Sequence, residues 1–313
     1  MTNLNTKHFN TLREGDLIGV IAPAGPAVAD TLPAVSALYA RQGYRVRLYP
    51  GCKAETGYLA GPDALRLADL HAALADDDVA AIHCLRGGYG SLRLLDGVDA
   101  ALLRRKPKLL IGYSDITALH ALWALHGLPS LHAPMPASDL IKPGREDDEA
   151  ALFHLLRHGL QAGTVLAPAL EPGALCAPGE ATGTLIGGNL SLMAALLGTP
   201  WAWQAQQTQG AILFLEDINE EIHRIDRLLT QLRLAGVLDA VGGIVLGSFT
   251  KGAFPAALLR DTLLPLNKPV LGGWPTGHGT PNRPLPMGLQ VRLTARPDGT
   301  GQLQVLQDFL LPR

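Results

Sequence analysis

Short apolar segments ending in glycine, proline or aspartate alternate with amphipathic segments through the first half of the chain, and this alternation limits the fold more than any other feature of its 313 residues. Asp16–Ala22, Tyr44–Tyr49, Val79–Leu85 and Lys108–Tyr113 have the length and the β-branched or apolar content of strands. Between them, Asp30–Gln42, Pro62–Ala75 and Ser91–Arg105 carry apolar residues at helical spacing, as in Leu65, Leu67, Leu70 and Leu74, with charges on the other faces. Such strand-helix-strand alternation predicts an α/β fold with a parallel sheet covered by helices on both sides. Its ligands should gather just beyond the carboxyl ends of the strands.

The pattern weakens between about Pro136 and Thr182 into text rich in proline and glycine, interrupted by one helical segment, Asp147–His158. It resumes with strand-like runs at Gly183–Ile186, Gly210–Leu215, Gly242–Gly247, Leu289–Leu293 and Gln302–Leu306, and with an amphipathic helix over Asn219–Leu234 that turns Ile222, Ile225, Leu229 and Leu232 inward. The expected organisation is an N-terminal α/β domain over residues 1–140, a linker over 141–181 and a β-rich α+β domain over 182–313. No fixed-period repeat points to a solenoid.

Composition narrows the partners. A formal charge of −2 gives no basic field to recruit nucleic acid or anionic lipid, so neither is an expected partner. The first fifteen residues are polar and lack the apolar core of a secretory signal. Ala121–Ile141 is broken by Pro129, Pro134 and Pro136, too often for a membrane-spanning helix. A cytoplasmic protein is the expectation. Cys52, Cys84 and Cys176 lack zinc or redox spacing and read as small buried apolar residues. His154 and His158 stand four apart without the glutamate of a zinc motif, and read as a surface pair; no metal is predicted. His83, His120, His126 and His132 lie in apolar contexts and read as hydrogen-bonded structural histidines.

Chemistry is concentrated at strand ends. In Gly112-Tyr113-Ser114-Asp115 a strand passes straight into a helix, which places Ser114 on a sharp turn beside unpaired helix N–H groups able to stabilise an oxyanion. Ile116 occupies the place of the second small residue of a nucleophile elbow, and a plain helix cap by Ser114 or Asp115 is the competing reading. Arg86-Gly87-Gly88-Tyr89-Gly90 follows the third strand; its glycines allow close approach of backbone N–H groups to a ligand, or form an ordinary turn. The spacing fits neither a dinucleotide fingerprint nor a P-loop. Further on, Glu216 and Asp217 end a strand, where carboxylates suit a helix start or can orient a histidine. Gly277-His278-Gly279 places an imidazole in a loop.

Together, Gly19 to Gly25, Arg86 to Gly90, Leu110 to Thr117, Gly187-Gly188-Asn189-Leu190-Ser191, Leu215-Glu216-Asp217 with Ile225 to Leu228, and Gly277-His278-Gly279 resemble the LD-carboxypeptidase family of serine peptidases, which includes muramoyltetrapeptide carboxypeptidases and microcin C immunity proteins. The resemblance implies an N-terminal α/β nucleophile domain and a C-terminal swivelling β-rich domain that supplies the glutamate and the histidine. It implies Ser114 as nucleophile, Glu216 as orienting acid and His278 as general base, with the amides of Gly88 and Asp115 as the oxyanion hole. It further implies a homodimer, no metal or organic cofactor, and cleavage of the terminal D-alanine from murein tetrapeptides next to an L-centre, commonly of meso-diaminopimelate. Arg86 is a candidate for holding the substrate's free carboxylate, or for a loop salt bridge. His132-Ala133-Pro134-Met135 departs from the family's usual glycine before the proline. Two other activities are weighed: amide hydrolysis of a microcin-like aminoacyl nucleotide, with Trp201 or Trp203 stacking on the base, and non-catalytic binding of an anionic ligand.

Overall fold

The structure, a computed structural model, describes residues 8–168, 170, 174–252 and 255–313. Residues 1–7 of the polar start, and Ala169 and Glu171 to Gly173 of the expected linker, lie outside the described residues. The chain divides into two compact units. The first comprises Met1–Gly159 with Arg283–Leu285 and Leu310–Arg313, the second Leu160–Asn282 with Pro286–Phe309.

The first unit is built on β1 (Leu17–Ile21), β2 (Arg45–Leu48), β3 (Val79–Cys84), β4 (Leu109–Gly112) and β5 (Ser130–His132). They pair in parallel in the order β5-β4-β3-β1-β2. In the central strands Ile18, Val20, Ile82, Leu110 and Ile111 are fully buried, the uninterrupted apolar text of a sheet covered on both faces. Five α-helices accompany it: α1 (Leu32–Arg41), α2 (Asp63–Ala75), α3 (Ala100–Arg105), α4 (Thr117–Leu125) and α5 (Glu146–His158). The single helix expected over Ser91–Arg105 is instead a 3-10 segment, Ser91–Gly97, followed by α3. Asp99 restarts the helix by accepting the N–H groups of Ala101 and Leu102.

The division at Gly159 falls inside the segment 141–181 expected as a linker. The reason is packing. The Phe153 ring of α5 lies 6.1 Å from Tyr39 and 5.7 Å from Tyr44, and the Leu156 carbonyl accepts the Leu12 N–H, so α5 is part of the first unit's core.

The second unit holds an eight-stranded mixed sheet of β6 (Val165–Leu166), β7 (Cys176–Ala177), β8 (Gly179–Asn189), β9 (Ile212–Ile218), β10 (Gly243–Thr250), β11 (Val270–Leu271), β13 (Gln290–Ala295) and β14 (Gly301–Val305). The intervening strand β12 (Leu285–Met287) starts in the first unit at Leu285. Strands β8, β9, β10 and β11 run parallel, and β13 and β14 join antiparallel beyond β8. Helices α6 (Leu190–Leu196), α7 (Ile222–Leu234), α8 (Val237–Ala240) and α9 (Ala256–Leu263) complete it. Helix α7 buries Ile225, Leu229 and Leu232 as expected, but Ile222, also expected inward, is exposed at the helix's first position; the helix begins three residues later than expected because β9 runs on to Ile218, held by pairing of Asp217 and Ile218 with Phe249 and Thr250. Among the described residues no helix is long and apolar enough to cross a membrane.

Candidate active site

Ser114 stands where β4 gives way to the 3-10 turn Ser114–Ile116 that leads into α4, and its φ of 64° puts a non-glycine residue in the left-handed region. That conformation persists only where the surroundings over-determine it, and here both flanks are tied down. The Gly112 carbonyl accepts from Nε2 of His120 at 2.9 Å, and the other nitrogen of that imidazole meets Ser130 Oγ at 2.8 Å. Tyr113 donates its hydroxyl to Asp139 Oδ1 at 2.9 Å. Asp115 is buried, and its Oδ2 accepts the Ser91 N–H at 2.8 Å. Burial pushes the Asp115 carboxyl above its ordinary range. The residues at the N-caps of the 3-10 turn and of α4, Tyr113 and Ile116, make no side-chain capping bond. The backbone N–H of Asp115 lies in the first turn, where helical hydrogen bonding leaves donors free for an anion.

The glycine loop presses against this serine. A methyl group on Gly87 would sit 3.1 Å from both Cβ and Oγ of Ser114. Gly88, at φ 118°, follows directly, and Gly87 accepts the Gly25 N–H at 3.1 Å, so the turns after β1 and β3 are joined beside the serine. Arg86 is half-buried and donates from Nη1 to the Pro26 carbonyl at 2.8 Å; its Nε is buried without an acceptor. Among the described residues Arg86 makes no ion pair, so the loop salt bridge is not what holds it.

The second unit brings Glu216 and His278 together. Glu216 is fully buried near the end of β9, and its Oε2 lies 2.6 Å from Nδ1 of His278, whose side chain is 11% exposed. With Nδ1–H donating to the carboxylate, Nε2 keeps its lone pair and is the basic nitrogen. The histidine loop is held closely. The Gly277 N–H donates to Asn282 Oδ1 and the Gly279 N–H to Ser248 Oγ, at 2.9 and 2.8 Å. Gly277 has φ 115°, and a methyl there would stand 2.7 Å from Glu216 Oε2; only glycine lets the loop close on the carboxylate. Asp217 plays a different part from its neighbour. Its carboxylate accepts from Asn189 Nδ2 and from the N–H and hydroxyl of Ser191, tying β9 to the turn after β8. Burial raises its carboxyl above the usual range. Neither carboxylate serves a helix start, since α7 opens only at Ile222.

The sequence marked the groups at these strand ends, and His120 as a hydrogen-bonded structural histidine, which it is; it did not mark the other side chains that hold them, Ser130, Asp139 and Ser91 around the serine, and Ser248 and Asn282 around the imidazole. One signal was available. Gly187-Gly188-Asn189-Leu190-Ser191 ends β8, and parallel register pairs Asn189 with Glu216. The rings of His154 and His158 lie 4.2 Å apart on the exposed face of α5, as a surface pair. Burial lifts the Cys52 thiol to about 12 and raises Cys84 too, which leaves both inert; Cys176, also expected buried, is only half-buried because it lies on the two-residue edge strand β7. Trp203 is buried, so a stacking role would fall to the partly exposed Trp201.

Comparison with known proteins covers both units. Residues 18–133 match the LD-carboxypeptidase N-terminal domain and residues 182–293 the LD-carboxypeptidase C-terminal domain. A Bacillus subtilis protein described as "probable murein peptide carboxypeptidase" is 37% identical over 297 residues, spanning 90% of each chain. The crystal structure of muramoyltetrapeptide carboxypeptidase from Oxalobacter formigenes superposes with a TM-score of 0.83 at 29% identity, over 95% of this chain and 100% of that one. A mutant of the microcin C7 self immunity protein MccF, in complex with adenosine monophosphate, superposes with a TM-score of 0.86 at 25% identity, over 97% and 99% of the two chains.

Proposed function

The chain belongs to the LD-carboxypeptidase family, and from that premise we propose that it is a serine-type LD-carboxypeptidase that removes the terminal D-alanine of murein tetrapeptides. The bond cleaved joins that D-alanine to the L-centre of a diamino acid, meso-diaminopimelate in this reading, and the reaction belongs to cytoplasmic recycling of wall peptides. One observation carries it: an over-determined serine at a positive φ, followed by a helix start and pressed by a glycine loop, in a chain that also builds a buried Glu216–His278 pair.

In this mechanism Nε2 of His278 takes the proton of Ser114 as Oγ attacks the peptide carbonyl. The oxyanion is held by the N–H groups of Gly88 and Asp115. Collapse expels D-alanine, whose nitrogen receives the proton from His278; water activated by the same imidazole then hydrolyses the acyl-enzyme. Glu216 keeps the imidazole in the tautomer with Nδ1–H and stabilises its cation. Arg86, anchored to the Pro26 carbonyl, offers its remaining donors to the substrate's terminal carboxylate.

The test is release of D-alanine from purified murein tetrapeptide in the presence of a chelator. The wild type should release it, Ser114→Ala should not. Equal release by both would remove Ser114 as nucleophile. No release by either, with cleavage of an aminoacyl nucleotide by the wild type, would favour the chemistry of the microcin immunity neighbour.

A further inference from the structure

We propose that Arg66 is a positioning residue for the oxyanion donors, an inference that rests on the serine-peptidase reading above. Arg66 is fully buried on α2, an unusual place for a guanidinium. One of its nitrogens, Nη1, is spent on backbone at two strand ends, while Nε is buried without an acceptor. Nη1 meets the carbonyl of Pro23, after β1, and that of Gly90, after β3, the latter at 2.9 Å. Nη2 pairs with Asp63 one turn earlier, and Asp63 is itself shared with Nε of Arg93 at 2.9 Å.

The contact with Gly90 reaches the proposed site from two directions. Gly90 closes the loop that carries Gly88, and it sits at φ 131° with no room for a side chain, since a methyl there would lie 2.6 Å from Arg66 Nη1. The next residue, Ser91, gives its N–H to Asp115 Oδ2. One guanidinium therefore anchors the segment that bears one oxyanion donor and, through Ser91, braces the residue that bears the other. A planar fork can serve two carbonyls and a carboxylate together. A lysine ammonium is a single point on a flexible stem and cannot reproduce that geometry. Arg66 is placed to act through the loop, by setting where two N–H groups point.

The test is the rate at which a fluorophosphonate probe labels Ser114 per folded molecule, with the folded fraction taken from urea unfolding, together with kcat and KM on murein tetrapeptide. Its phosphoryl oxygen needs the same oxyanion donors as the substrate. Arg66→Met should slow labelling and kcat about 100-fold, the scale of a small misplacement of catalytic groups, with KM changed less than about threefold. Arg66→Lys should recover part of that loss, and it decides alone if Arg66→Met fails to fold. Variants that unfold more readily yet label at the wild-type rate per folded molecule would overturn the inference and leave the peptidase reading intact. A wild type that takes no label would remove the serine-peptidase reading, and the inference with it.

Discussion

At the scale of single residues, the feature that most separates this chain from a passive α/β scaffold is the backbone of Ser114. A left-handed conformation costs an L-residue about 1–2 kcal/mol, and a serine that merely capped a helix would have no reason to bear it. Relief of that strain is measurable. Ser114→Gly should be more stable to urea than Ser114→Ala by about 1 kcal/mol, because glycine alone occupies φ 64° without penalty while both lack the hydroxyl. Equal stabilities would mean that the turn is not strained. Some of this was legible beforehand: the strand, the turn and the helix start follow from Leu109 to His126 read as text. The braces were not. His120 meets the Gly112 carbonyl within one turn-and-helix step, but Ser91 finds Asp115 from 24 residues away, a contact set by which strands neighbour each other rather than by any local pattern.

At the scale of elements, buried histidines behind the strand ends give the first unit a pH signature. Burial holds His83 and His120 down to about 4, each as a neutral ring bonded on both nitrogens: His83 to the Tyr39 hydroxyl and the Pro134 carbonyl, His120 to Ser130 and Gly112. The unfolded chain takes up these protons near pH 6.5, the folded chain only near 4. Stability is therefore full above about 6.5 and falls through that window by about 1.4 kcal/mol per pH unit for each ring. Asp69, Asp115 and Asp217, raised by burial, bind protons more readily folded than unfolded and oppose the loss only in the acid range above 3.8. Urea midpoints should drop between pH 6.5 and 4.5, and His83→Gln should flatten the slope. A slope unchanged by that substitution would contradict the account. Element existence was legible where the pattern was long, as in α2 and α7. Short elements escaped it: β5 is three residues, Ser130–His132, and contains no alternation to read, while Asp99 splits one apparent helix in two through a cap inside an apolar run.

At the scale of the whole molecule, the alternation of strand and helix carried the fold class, because a parallel sheet needs a crossover helix at each step and leaves that rhythm in the text. The unit boundary was less visible, since α5 looks like an isolated helix in turn-rich text until Phe153 meets Tyr39 and Tyr44. The pairing of Glu216 with His278 lies deeper still. They are 62 residues apart, and the histidine loop is held at the end of β10, next to β9, by the Ser248 N–H donating to the Thr276 carbonyl and Ser248 Oγ accepting the Gly279 N–H. Peptide mapping after treatment with a fluorophosphonate separates the proposed role of His278 as the base for Ser114 from a purely structural one. A single adduct, on Ser114, is expected in the wild type, and none on a folded His278→Ala variant over the same time. An adduct on another residue, or labelling of His278→Ala at the wild-type rate, would contradict it.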